Sequence, residues 1–301
     1  MSLSKGTAKV FVSKIFGQVN LTEDQIATAL NNVLFQPIPD QSTTEHSQGI
    51  CSWRDASRAP LPEETFLADG WMVFGVRVDK KKVDKGRIDL KVQEEFQAHL
   101  AAGAEGKFNF KQAKVQAKEE LLRDTPPSPS HYMAALNQQK GILYVEGKKD
   151  QRDFVQRIFG GLGMQFDNQE YVSSSDILAN LKSQEPVDLG ADRPEFVPET
   201  AQYVVMDTLE LELGDQRMVA RNIGTELGAE CTSFLDGGAR IQKLKVELAL
   251  SDEVIVKMNL KTGLEQLSCN PGKPSEGTKF EVLLWRLDHI FSVHYILGIL
   301  G

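Results

Sequence analysis

Trp71-Met72-Val73-Phe74-Gly75-Val76-Arg77-Val78 is an eight-residue run in which Arg77 alone carries charge. A run so short and apolar, rich in valine and aromatic residues, reads as a buried strand. The period then changes. Residues 88–101 and 110–122 space their apolar side chains as helices do, with Gly103 and Gly106 between them. Asn109, three residues before Gln112, offers an N-cap to the second helix. Thr125-Pro126-Pro127-Ser128-Pro129 ends that helix, because proline lacks the N–H the next turn needs. A buried strand feeding two helices points to an α+β fold with mixed or antiparallel sheets and packed helices.

Toward the N-terminus, Lys9-Val10-Phe11-Val12-Ser13-Lys14 alternates and reads as a strand. Thr22 and Gln25 form a capping box ahead of a helix whose apolar face is Ile26, Leu30, Val33 and Leu34. Residues 36–62 contain four prolines and read as a long irregular connection. Toward the C-terminus, 131–136 and 141–145 flank Asn137-Gln138-Gln139-Lys140 as a hairpin. Asp150 is placed to cap a helix running through Phe159 to Gly160-Gly161. Residues 184–200, rich in Pro, Asp and Glu, read as a linker. It would divide an α/β region at 1–183, containing a basic segment at 71–160, from a β-rich region at 201–301. Strands are expected in that second region at 203–206, 209–213, 241–250 and 254–258, followed by a terminal helix.

That terminal stretch, 280–300, is the most apolar of the chain, but Arg286, Asp288, His289 and His294 interrupt it. It reads as an amphipathic helical end, and no membrane span is expected. The first residues hold no apolar leader, and Cys51, Cys231 and Cys269 lie far apart. Both features suit a reducing, cytoplasmic setting with buried thiols.

The net charge of −8 is unevenly distributed. Residues 71–160 hold 17 Lys/Arg against 12 Asp/Glu, a net of +5, which leaves −13 for the rest. Such a chain can meet a polyanion through one surface. Lys80-Lys81-Lys82 follow the buried strand. Lys111, Lys114 and Lys118 stand at i, i+3, i+7 and share a helix face. A solvated helix face is the ordinary source of such a stripe; the acidic remainder is what gives it weight.

Catalytic signals are lacking. Gly160-Gly161-Leu162-Gly163 follows a helix and has no Lys-Ser/Thr after it, so it fails as a phosphate loop. His46, His99, His131, His289 and His294 stand at no metal-ligand spacing. No motif calls for a cofactor. A metal-dependent nuclease assembled from dispersed carboxylates stays open as an alternative, as does a protein-interaction scaffold that binds no DNA. Zinc-finger, helix-turn-helix and RNP-like patterns are absent, so sequence-specific readout is not expected.

The order of elements resembles the RdgC family of bacterial recombination-associated DNA-binding proteins. Trp53 stands near the family's Gly-Trp, and Val76-Arg77 with its charged turn is similar to the family's strand and Arg-Lys-Glu-Glu-Lys turn. The lysine-rich helix ending in Glu119-Glu120-Leu121-Leu122 is similar to one ending in Leu-Leu-Pro. Thr225-Glu226-Leu227, Gly238-Ala239-Arg240-Ile241-Gln242-Lys243-Leu244 and Arg286-Leu287-Asp288 resemble Gln-Asp-Leu, Gly-Lys-x-Val-Thr-Lys-Leu and Arg-Phe-Asp. The chain departs where the family's Leu-Lys-Arg-Leu is Leu264-Glu265-Gln266-Leu267. The resemblance implies a nucleoid-associated homodimer closing into a ring around double-stranded DNA, with the terminal stretch 280–300 either helping the dimer close or packing in the core. Such a ring would modulate RecA-driven strand exchange by occupying the DNA. Arg77, Lys80, Lys81, Lys82, Lys111, Lys114, Lys118 and Lys243 are the expected phosphate contacts, none of them reading a base.

Overall fold

The computed structural model describes residues 3–17, 20–103, 107–168, 186–191, 193, 197–224, 227–251, 253–261, 266–274 and 276–300. Parts of the expected linker (184–185, 192, 194–196) and, from the RdgC-like motifs, Thr225, Glu226, Leu264 and Glu265 lie outside these described residues.

In chain order the elements are β1 (Ala8–Phe16), α1 (Glu23–Asn31), β2 (His46–Cys51), α2 (Pro62–Thr65), β3 (Trp71–Lys80), α3 (Lys85–Ala101), α4 (Phe110–Asp124), β4 (Ser128–Asn137) and β5 (Ile142–Glu146). There follow α5 (Lys149–Gly160), β6 (Gln165–Asn168), β7 (Val187–Asp188), β8 (Thr200–Leu213), β9 (Gln216–Gly224), α6 (Ala229–Asp236), β10 (Arg240–Ala249), β11 (Ile255–Lys261), β12 (Gln266–Asn270) and α7 (Lys279–Leu300). Helices accompany extensive antiparallel pairing, so the fold is α+β.

The chain forms two compact units that interleave in sequence. One comprises Met1–Glu23, Thr65–Val73 and Met133–Gly301; the other comprises Asp24–Glu64 and Phe74–Tyr132. This division differs from the expected split at 184–200. In the larger unit β1 pairs with β12, from Ala8 opposite Cys269 to Phe11 opposite Gln266. The expected N- and C-terminal regions thus share one sheet, and the Pro- and acid-rich stretch contains β7 and the first residue of β8.

Within the larger unit the strands run β4-β5-β1-β12-β11-β10-β8-β7, with β6 on β1 and β9 on β8. The two strands expected at 203–206 and 209–213 are one strand, β8, whose pairing with β9 shifts register between Met206 and Thr208. The β4–β5 hairpin forms where Asn137 and Gly141 predict it. Asn137 Oδ1 accepts the Lys140 N–H at 2.9 Å, and Gly141 takes φ +61°. Helix α5 starts after Lys148, whose N–H is accepted by the Gln151 side chain at 2.9 Å, and Asp150 sits within its first turn.

Helix α7 is not amphipathic in the structure. Leu283, Leu287, Ile290, Val293, Ile296 and Leu297 are buried, and so are Arg286, Ser292 and His294. A buried guanidinium is costly unless its donors are used. Arg286 donates to the carbonyl oxygens of Leu3 at 2.7 Å, Gly6 at 2.5 Å and Gly272. Of the two expected roles for this segment, core packing is the one the structure shows.

In the smaller unit, α3 and α4 pack through Val92, Ala113 and Ala117, with Ile88 and Phe108 at the margin. The alanines let the two helix backbones approach. Asn109 caps α4 as expected, its Oδ1 accepting the Gln112 N–H at 3.2 Å. The stretch 36–62 is not wholly irregular, because β2 lies inside it and pairs with β3 from His46 opposite Lys80 to Cys51 opposite Gly75.

Candidate nucleic-acid interface

Seven of the eight expected phosphate contacts lie in the smaller unit and Lys243 lies in the larger. The three consecutive lysines after β3 have unlike fates. Lys80 and Lys82 are exposed, and their side chains make no ion pair among the described residues. Lys81 is 4 % exposed and points inward, donating to the carbonyl oxygens of Ser42 at 2.9 Å and Leu122 at 3.1 Å. Strand alternation sends neighbouring side chains to opposite faces, and the chain continues that alternation one residue past β3. Lys81 is therefore a structural residue, in correction of its expected role.

Arg77 needs the same correction. Its Nε and one terminal nitrogen donate to the two oxygens of buried Asp79, at 2.8 and 2.9 Å, in a bidentate pair. The other terminal nitrogen donates to Ala56 O at 3.2 Å, and the guanidinium lies 4.3 Å over the Phe35 ring. Hydrogen bonding to Asp79 also holds its pKa above the ordinary arginine value. Three of its five N–H donors are thereby committed inside the protein.

The α4 lysines form the stripe that their spacing predicts. Ala113 and Ala117 occupy the buried face, which turns Lys111, Lys114 and Lys118 outward. Lys111 is exposed and makes no ion pair among the described residues. Lys114 meets Asp89 at 3.0 Å, and Lys118 meets Glu45 at 2.6 Å. Both pairs are well exposed, and pairs of that kind contribute about 0–1 kcal/mol. A phosphate can displace either carboxylate at small cost.

Lys243 sits on the polar face of β10. Its Nζ is 3.0 Å from Glu210, which also receives Arg217 at 2.5 Å. Hydrogen bonds from Arg217 and then Lys243 keep the Glu210 carboxyl below its usual range. The cleft of about 530 Å³ around them also holds Lys9 and Glu212, so its charge is mixed. Lys9, which the sequence reading left without a role, faces this cleft opposite Ser268 of β12. Its signal was the alternation of the β1 segment, which puts Lys9 on the face opposite Val10.

Two further groups were passed over. Lys107 is exposed just before α4, and Phe110, at the first position of that helix, is 49 % exposed. The sign in the sequence was the i, i+4 relation between Phe110 and Lys114, which places a ring at the head of the lysine stripe.

Burial pushes the thiols of Cys51 and Cys269 up to about 12 and raises that of Cys231, which suppresses thiolate formation in all three. No group of three or more His, Cys, Asp or Glu side chains stands placed to hold a metal ion among the described residues. No helix among them is long and apolar enough to cross a membrane. No protein-family model matches the chain, and no curated protein matches it.

Proposed function

We propose that this protein binds DNA through its phosphates without reading sequence, and that it has no catalytic role. The observation that carries the reading is the lysine set of the smaller unit: Lys80, Lys82 and Lys111 exposed without ion pairs among the described residues, with Lys114 and Lys118 held only by exposed carboxylates. Lysine ammonium groups act as point charges toward phosphate and carry no base-specific donor and acceptor pattern. Affinity then comes from counterion release and falls steeply with salt. The RdgC resemblance extends the proposal to a homodimeric ring around duplex DNA in the nucleoid, limiting RecA-driven strand exchange by occupying its substrate.

The test is duplex binding by the full chain over a salt series, with native mass measured alongside. Reversing Lys111, Lys114 and Lys118 together to Glu is expected to weaken binding on every sequence. The slope of log K against log salt should flatten by roughly 0.9 for each phosphate that is no longer neutralised. Unchanged duplex affinity in the triple variant would remove the stripe from the interface. No duplex binding by the wild type at low salt would leave a protein-interaction scaffold as the better reading, since electrostatic binding is strongest there.

A further inference from the structure

We propose that Phe110 is a base-stacking platform, so that the lysine-bearing face of α4 takes single-stranded DNA through its bases as well as through its phosphates. This rests on the DNA-binding reading above and adds a ligand class to the same face. Phe110 begins α4 and leaves about half of its surface in water, where an apolar ring gains nothing from folding. The ring is not loose. Phe108 packs against it in an edge contact with centroids 4.8 Å apart, and Phe96 lies at 5.0 Å, with Phe96 and Phe108 5.3 Å from each other. Three mutually packed rings hold one of them partly open.

The surroundings of that open ring favour an anion. Phe110, Lys114 and Lys118 stand at i, i+4 and i+8, on one face, and Lys111 adjoins them. Lys107, three residues before Phe110, is exposed and, like Lys111, makes no ion pair among the described residues. An aromatic face bordered by cations is the arrangement that binds single strands without sequence preference: bases stack and the backbone is neutralised. The same border argues against a symmetric contact with a second copy, because such a contact sets a patch against itself and would bring Lys107 and Lys111 near their own equivalents.

Fluorescence anisotropy at low salt tests this with three probes: a thymidine oligomer, an abasic strand of equal length, and a duplex. Phe110→Ala is expected to weaken thymidine-strand binding by about five-fold or more while changing abasic-strand and duplex binding by less than about two-fold. Phe110→Tyr, which keeps the ring, should bind all three like wild type. Equal loss on all three probes, no loss on the thymidine strand, or a wild type that does not distinguish thymidine from abasic strands would each overturn the proposal. So would a drop in the sedimentation mass of Phe110→Ala with single-strand affinity intact, which would make Phe110 a self-association residue. If the wild type binds the duplex and Phe110→Ala behaves as wild type on every probe, the stacking role alone falls. If the wild type binds none of the probes, the DNA-binding reading falls with it. A thermal melt of each variant confirms that the loss is not one of folding.

Discussion

Lys81 donates its ammonium to the carbonyl oxygen of Leu122 at 3.1 Å, inside the protein, while Lys80 and Lys82 on either side of it stand in water. Leu122 lies in the last turn of α4, where its carbonyl also accepts the N–H of the capping residue Thr125 at 3.3 Å, and the second bond to Ser42 ties in the loop ahead of β2. Lys81→Met is expected to lower stability by about 1–3 kcal/mol, the range for losing hydrogen bonds to a charged group. Urea denaturation measures it. Lys80→Met and Lys82→Met should leave the urea midpoint nearly unchanged and weaken DNA binding instead. A Lys81→Met protein of wild-type stability would refute the structural assignment.

Two buried groups in the larger unit oppose each other in pH. Burial holds the Glu146 carboxyl up to about 7, from 4.5, although the N–H groups of Met133 and Leu3 and the charge of Arg286 pull it down. Between those values the folded state binds more protons than the unfolded chain, so this group makes stability fall as pH rises from 4.5 to 7. Burial, and then the charge of Lys14, push His294 down to about 4 from 6.5. There the unfolded chain binds more protons, so stability rises with pH from 4 to 6.5. Across the shared window the slopes offset, each at most about 1.4 kcal/mol per pH unit. Glu146→Gln should therefore show stability climbing with pH relative to wild type, and His294→Asn the reverse. Urea midpoints at a series of pH values decide it, and two profiles parallel to wild type would dismiss both groups.

Gly49 lies against the backbone of Leu34 and Phe35. The Phe35 N–H donates to Ile50 O, and the Ile50 N–H donates to Val33 O, each at 2.8 Å. A methyl group at Gly49 would fall 2.8 Å from the Leu34 carbonyl carbon and against the Phe35 main chain, which cannot yield as a side chain can. Gly49→Ala should cost about 1–3 kcal/mol or more, as overpacking does. Gly160→Ala, with open space at the end of α5, is the control and should be neutral or slightly stabilising. Equal stabilities for the two variants would contradict this packing.

Period and punctuation made much of the fold legible: β3 from its apolar run, α3 and α4 from helical spacing, the Asn109 cap, and the Asn137 turn. β2 was hidden because it lies among prolines, and its Gly49 is explained only by the chain crossing beside it. β9 and β12 were missed, β9 because its nine residues are close to half polar and none is buried, β12 because it is short and half polar. The Lys111, Lys114 and Lys118 stripe was readable because a helix face depends on spacing alone. The roles of Lys81 and Arg77 were not, because each depends on acceptors supplied by distant segments: Ser42 and Leu122 for one, Ala56 and the Phe35 ring for the other.

The sequence by itself determined the α+β class, the uneven charge and the outward lysine face of α4, since composition and local period need no knowledge of what packs where. Tertiary structure decided the rest. Pairing of β1 with β12 divided the chain into interleaved units, and carbonyls from Leu3, Gly6 and Gly272 allowed Arg286 to sit in the core. Partners brought from far along the chain also drew Lys81 inward and left Lys80 and Lys82 outside. The physical reason is the same in each case. Whether a charged side chain faces water or protein depends on the hydrogen-bond partners that folding places around it, and a stretch of sequence does not carry those partners with it.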